Sequence, residues 1–252
     1  MTARLSVTSL TVKFGAAVAV DHVSFDLAPG EVLGLVGESG SGKSTIARAV
    51  LGFQRYAGSV ALDGVELTPR RSVEQRRAVQ MVFQDPYGSL NPRRSVRSML
   101  AELLRAHGLA SGRAQIAARS AELLHLVRLP TSALDSYPGE FSGGQRQRLA
   151  IARALAVEPV VLVADEPTSA LDVSVQASVL DLLDSLRADL GLTVLLITHD
   201  LGVVARLCDR VAVLHAGELV ESGTRDEFFA GPVTEYGREL LAAAPRLPGR
   251  AS

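Results

Sequence analysis

Two short stretches carry most of the chemistry legible in this sequence. The first, Gly37-Glu38-Ser39-Gly40-Ser41-Gly42-Lys43-Ser44, fits the pattern G-x-x-x-x-G-K-[ST] in full. It follows the apolar run Val32 to Val36 and precedes helical spacing from Lys43 through Leu51, so a buried strand should deliver a glycine-rich turn to a helix N-terminus. Glycines let successive backbone N–H groups converge on phosphate oxygens, and the helix start adds the positive end of its dipole. In such a loop Lys43 reaches the β and γ phosphates of a nucleotide, and the Ser44 hydroxyl, with Thr45 beside it, is placed for Mg2+. The second stretch is Val160 to Ala164 followed by Asp165-Glu166, an apolar strand with two adjacent carboxylates at its end. Alone it would read equally as an acidic surface turn. Beside a phosphate-binding loop, Asp165 is expected in the Mg2+ shell, mostly through water, and Glu166 as the general base on an attacking water, an effect typically worth about 10²–10⁴ in rate.

These stretches need a scaffold, and the apolar spacing supplies one. Approximate alternation at Leu5, Val7, Leu10, Val12 and Phe14, then Val23, Phe25 and Leu27, predicts half-buried antiparallel strands that end at Pro29-Gly30. Val60 to Leu62 meets a hairpin turn at Asp63-Gly64. After the strand Met81 to Phe83, Asp85-Pro86 and Asn91-Pro92 bracket a loop, and amphipathic helices are expected near Val96 to Ala106 and Arg113 to Val127. Strand-type runs return at Val160 to Ala164, Val194 to Thr198 and Val211 to Leu214, separated by helical patterns near Val173 to Asp189 and Leu201 to Leu207. The alternation of strand and helix predicts an α/β core with a largely parallel sheet.

Composition narrows the class without choosing a function. The 252 residues, 47% hydrophobic and 21% charged, have ample length for a core and describe an ordinary globular chain. Lys plus Arg number 26 against 27 Asp plus Glu, so no global basic excess advertises a nucleic-acid binder. The arginine pairs Arg70-Arg71, Arg76-Arg77 and Arg93-Arg94, with Arg146 and Arg148, lack interleaved aromatics and are expected on solvated faces and at helix ends. A single cysteine, Cys208, excludes an intramolecular disulfide and a cysteine-rich metal site; it is expected to be a small packed residue in a reducing cytoplasmic compartment. The start lacks the apolar stretch of a secretory signal, and apolar runs such as Ala154 to Ala164 are broken by Glu158 and Pro159 before the ~18 residues a spanning helix needs. A membrane role is expected only through partner proteins.

Phe141-Ser142-Gly143-Gly144-Gln145-Arg146-Gln147-Arg148 takes the reading further. A capping serine before a basic helix could be only a helix start. With the phosphate loop and the carboxylate pair, however, the chain resembles the ATP-binding cassette (ABC) family from about Leu5 to Ala243. The usual first residue of this signature is leucine, here Phe141. The resemblance implies that Ser142, Gly143, Gly144 and Gln145 meet the γ-phosphate bound by another subunit, so that two chains sandwich two ATP molecules head to tail. It implies that Gln84 senses Mg2+ and water while the segment after it touches a transmembrane partner. It implies that Ser169-Ala170-Leu171-Asp172 is the D-loop, with Asp172 at the nucleotide, and that His199 contacts the γ-phosphate. Phe14 matches the aromatic that stacks on adenine; the alternative is a simple strand or core aromatic.

The resemblance therefore implies a P-loop NTPase fold of the ABC ATPase type, with an N-terminal antiparallel β subdomain and an inserted α-helical subdomain. Its expected boundaries are 1–85 and 159–230 for the nucleotide-binding core, 86–158 for the helical signature subdomain and 231–252 for a C-terminal helix and tail. ATP and Mg2+ are the implied ligands. Asp85 to Arg93, Leu171 to Gln176 and the tail Tyr236-Gly237-Arg238-Glu239-Leu240-Leu241 with Pro245 look like the oligopeptide, dipeptide and nickel uptake ATPases, although the usual His-Pro-Tyr-Thr run stands here as Thr234-Glu235-Tyr236-Gly237. The little chain after Pro245 is expected to leave no room for a folded regulatory domain, and one cysteine excludes the iron–sulfur tail of some members. The expected function is the ATPase of an importer at the cytoplasmic membrane face, with permease subunits, a second cassette chain and, indirectly, an extracytoplasmic solute-binding protein as partners, and no nucleic acid. The alternative is a soluble cassette subunit of the carbon–phosphorus lyase complex for phosphonate breakdown.

Overall fold

A computed structural model describes residues 3–68 and 70–244. The chain forms two compact units, one from residues 1–71 and 191–252 and the other from residues 72–190.

The first unit opens with β1 (Leu5–Phe14) and β2 (Ala17–Leu27), followed by β3 (Val32–Val36), α1 (Lys43–Val50), β4 (Ala57–Leu62) and β5 (Val65–Glu66). β2, β1, β4 and β5 lie side by side in that order as the expected antiparallel sheet. The alternation along β1 is only approximate because Ser9 adopts φ +47° and the register slips between Val7 and Leu10. This bulge lets Leu5, Val7, Leu10 and Val12 all reach the core.

The second unit begins with α2 (Val73–Ala78) and β6 (Val79–Val82), then α3 (Pro86–Ser89), α4 (Val96–Ala106), α5 (Arg113–Leu126), α6 (Gly143–Leu155), β7 (Val161–Asp165) and α7 (Val173–Leu190). β6 and β7 pair in parallel from Val79 opposite Val161 to Val82 opposite Ala164. Leu100 and Leu104 of α4, Leu123 and Leu124 of α5 and Leu149 of α6 have no exposed surface and form this unit's helical core. The unit extends beyond the helical stretch 86–158, since β6, β7 and α7 cluster with the helices. Asp85 to Pro92 is not wholly a loop: α3 makes one helical turn inside it, with Leu90 N–H bonded to Pro86 O at 3.2 Å. The expected strand ends at Val82, leaving Gln84 two residues beyond it.

The chain then returns to the first unit with β8 (Thr193–Ile197), α8 (Leu201–Leu207), β9 (Arg210–His215), β10 (Glu218–Thr224), α9 (Arg225–Ala230) and α10 (Glu235–Ala243). β3 runs parallel to both β8 and β9, and β10 closes antiparallel on β9. All five residues of β3, like those of β8, are buried, as continuous apolar runs in a parallel sheet require. Cys208 is fully buried, and its Sγ lies 2.7 Å from where a Cβ on Gly34 would fall, too close for a side chain there.

Of the arginines expected on solvated faces, Arg70, Arg76, Arg93 and Arg94 are exposed as expected, whereas Arg71, Arg77 and Arg148 depart from it. Arg71 is buried and donates to Val50 O, burial pushes its guanidinium below the usual arginine range, and the neighbouring Tyr56 hydroxyl is raised by its own burial. Arg77 donates to Val157 O and Glu158, and Arg148 to Arg128 O and Ser178. These groups stitch backbone carbonyls, a use that composition cannot show. Pro245 and the residues after it lie outside the described residues. Among the described residues no helix is long and apolar enough to cross a membrane.

Candidate functional site

The glycine-rich loop sits between β3 and α1 as the sequence predicts. Gly37, at φ +147°, passes so close to β9 that an added Cβ would lie 2.1 Å from Leu214 O. Gly42, at φ +110°, precedes α1 with no side-chain cap, and a Cβ there would meet Ala19 O at 2.6 Å. Only glycine satisfies both the left-handed backbone and the close approach. The loop is also tied by Gly217 N–H to Ser41 O at 3.0 Å, while Gly217 O accepts from Asp21 N–H at 2.8 Å. Gly217 is thus a structural partner of the loop that the sequence reading missed. Its signal was the Ala216-Gly217 turn between two strands, both residues of which have positive φ.

Lys43 is only 6% exposed, and its Nζ donates to Gly37 O and Glu38 O, both at 2.7 Å, and to Ser41 Oγ at 3.4 Å. The ammonium is therefore concentrated on the loop that its sequence position predicts. Ser44 and Thr45 open α1 directly behind it. Phe14 ends β1 with 52% of its surface exposed, so it is not a core aromatic. His199 follows β8 and is exposed, and the next residue, Asp200, caps α8 through Gly202 N–H at 2.8 Å.

In the second unit Asp165 is the last residue of β7 and 6% exposed, and Glu166 follows it at φ +45°. A non-glycine residue in this left-handed region typically costs about 1–3 kcal/mol and persists only where its surroundings impose it. Here Glu166 O accepts from Ser169 N–H at 3.3 Å and Ser169 Oγ at 3.2 Å, and its carboxylate accepts from Gln84 Nε2 at 2.8 Å. The structure thus brings Gln84 and Glu166 together across 82 residues of chain.

Ser142 caps α6: Gln145 N–H donates to Ser142 Oγ at 3.3 Å, and Ser142 N–H to Gln145 Oε1 at 2.9 Å. This capping box satisfies the helix start locally, and the polar side chains stay at its mouth. A Cβ on Gly144 would lie 2.2 Å from Val175 Cγ1, so glycine there permits the close packing of α6 on α7. Asp172 is engaged as the cap of α7, accepting from Val175 N–H at 2.9 Å and Ser174 Oγ at 2.8 Å. The Val175 N–H first, then the Ser174 hydroxyl, hold its carboxyl below the usual range.

The residues expected at Mg2+ offer oxygen: the Ser44 hydroxyl, the Asp165 carboxylate and Gln84 Oε1, which is distinct from the Nε2 bound to Glu166. Among the described residues no group of three or more His, Cys, Asp or Glu could hold a metal. Each of these residue types suits Mg2+, which takes oxygen ligands, keeps several waters and draws further ligands from substrate phosphates.

A glycine-rich G-x-x-x-x-G-K-S loop opening α1, a strand that ends in Asp165 with Glu166 directly after it, and a Ser-Gly-Gly-Gln helix start are the pattern of a P-loop ATPase of the cassette type. The ABC transporter family model matches residues 20–169. The chain is 48% identical over 244 residues to the oligopeptide transport ATP-binding protein OppF of Streptococcus mutans, covering 94% of this chain and 79% of that protein. Among solved structures it resembles cbiO1 from Clostridium perfringens, part of the ABC transporter complex cbiONQ, with TM-score 0.80 and 28% identity over 90% of each chain. It also resembles the dimeric ATP-binding cassette MJ0796 bound to ADP and Pi, with TM-score 0.76 and 29% identity over 88% of this chain and 98% of that one. This chain belongs to the ABC transporter family and is an ATPase of that family.

Proposed function

We propose that this chain powers a peptide importer by hydrolysing ATP to ADP and phosphate. Its work is done at the cytoplasmic face of the membrane, against permease subunits, with a second cassette chain head to tail and a solute-binding protein acting through the permease. The likeness to an oligopeptide transport ATPase over 94% of the chain supports peptide uptake rather than phosphonate breakdown.

Backbone N–H groups of the loop 37–44, other than that of Glu38, bind the phosphates, with Lys43 leaving its loop carbonyls for the β and γ phosphates. Phe14 offers its exposed ring to the adenine. Glu166 accepts a proton from the attacking water as the new O–P bond forms and the bond to ADP breaks, while Gln84 orients its carboxylate. His199 stabilises the γ-phosphate, and Ser142, Gly143, Gly144, Gln145 and Asp172 serve the nucleotide of the partner chain. Ser44, Asp165 and Gln84 would hold Mg2+, which when bound would supply neutralisation of the phosphate charge.

The observation that carries this reading is the bond from Gln84 to Glu166, because it ties the segment expected to face the permease to the carboxylate that activates water. Affinity isolation of the chain from gently solubilised native membranes tests the transport half. Co-isolation of polytopic permeases is the expected result; soluble phosphonate-lyase subunits in their place would overturn it.

A further inference from the structure

Tyr236, in the first turn of α10, makes a contact that the catalytic reading does not use. Its hydroxyl accepts a hydrogen bond from Glu38 N–H at 3.0 Å, 198 residues away in sequence. Its ring lies against His215, the last residue of β9, with centroids 4.0 Å apart and planes at 45°. Glu38 is the second residue of the phosphate loop, and its carbonyl is one of the two that Lys43 Nζ occupies. When Lys43 moves to phosphate it must release that carbonyl, whereas the N–H bond to Tyr236 can persist.

The helix that carries Tyr236 is firmly seated. The Glu221 carboxylate accepts from Val233 N–H at 2.8 Å, from Thr234 N–H at 3.0 Å and from the Thr234 hydroxyl, and Thr234 Oγ1 in turn accepts from Gly237 N–H at 3.0 Å. Burial acts to raise the Glu221 carboxyl, but these bonds and Arg238 outweigh it and leave it below the usual range. A Cβ on Gly237 would lie 2.4 Å from Glu221 Oε2 and 2.8 Å from Pro232 Cβ, so glycine in this place lets α10 sit directly on that carboxylate.

We propose that Tyr236 is a positioning residue for the phosphate loop: by holding Glu38 N–H it keeps the loop backbone in its phosphate-ready conformation and couples the seat of α10 to nucleotide affinity. The glycines at 37, 40 and 42 make the loop's conformation entropically costly to fix, so one anchored amide bears directly on binding. The proposal rests on residues 37–44 being the nucleotide loop.

Tyr236→Phe in the full chain removes the hydroxyl and keeps the ring on His215. Amide exchange followed by NMR without nucleotide should show Glu38 N–H exchanging faster. The KM for ATP should rise by about 2- to 10-fold, the worth of one neutral hydrogen bond, with kcat within about twofold. Thr234→Val, which removes the cap of α10, should shift both readouts in the same direction. A role in packing alone would lower the melting temperature and leave Glu38 exchange and KM unchanged; either of these unchanged in Tyr236→Phe overturns the proposal. Wild-type ATP affinity in Lys43→Ala would instead sink the loop reading beneath it.

Discussion

The phosphate loop and the start of α6 both present a helix N-terminus, and they are held in different ways. Before α1 no side chain caps the helix, and the loop is set by backbone atoms far along the chain: Ala19 O, Leu214 O and Gly217 N–H. Before α6 the geometry is closed within four residues by the Ser142–Gln145 box. The first arrangement makes the loop's shape depend on distant strands. The second is autonomous, and its Ser142 can serve a helix and a ligand at once. Changes in the loop should therefore act through tertiary fit, while changes at the signature should separate stability from chemistry.

The largest effect is expected where neither kind of scaffold is disturbed. Glu166→Gln keeps the Gln84 contact possible and removes the proton acceptor, so turnover should fall by about 10²–10⁴ while ATP binding is retained. Next comes Gly37→Ala, whose methyl has no room beside Leu214 O; a loss of about 1–3 kcal/mol in stability together with weakened ATP binding is expected in denaturant titrations. Gly40→Ala sharpens the comparison, since nothing lies within 4 Å of that Cβ and only the φ of +84° opposes it; its effect should be smaller.

At the signature, Ser142→Ala should cost about 0.5–2 kcal/mol as a lost cap. Ser142→Asp retains a good cap but places a negative charge at the helix mouth, so melting should stay near wild type while ATPase activity is lost. Normal activity in Ser142→Asp would mean that the serine is a cap and nothing more.

The smallest effect concerns Asp172. Its carboxyl is held below the ordinary value of about 3.9, so its capping contribution is complete above that pH and disappears as pH falls through the lower folded value. Val175 amide exchange followed below about pH 4 should accelerate in the wild type, and the acid dependence should vanish in Asp172→Ala.

The same contrast explains what was legible in the sequence. α4, α8, the buried strands and the capped start of α6 could be read from apolar spacing and from residues a few positions apart. The bulge at Ser9, the burial of Arg71 against Val50 O and the bond from Glu38 to Tyr236 could not, because each is decided by a partner distant in sequence. Glu166 could be read from its type and place, and Gln84 only through the family resemblance. Their mutual hydrogen bond and the left-handed backbone of Glu166 came only with the fold.

The most direct test of the account incubates wild-type and Glu166→Gln chains with ATP and Mg2+, then measures phosphate release together with the size and bound nucleotide of each protein. The account predicts phosphate release by the wild type, and for Glu166→Gln a stable dimer that retains unhydrolysed ATP. Wild-type phosphate release from Glu166→Gln would contradict it.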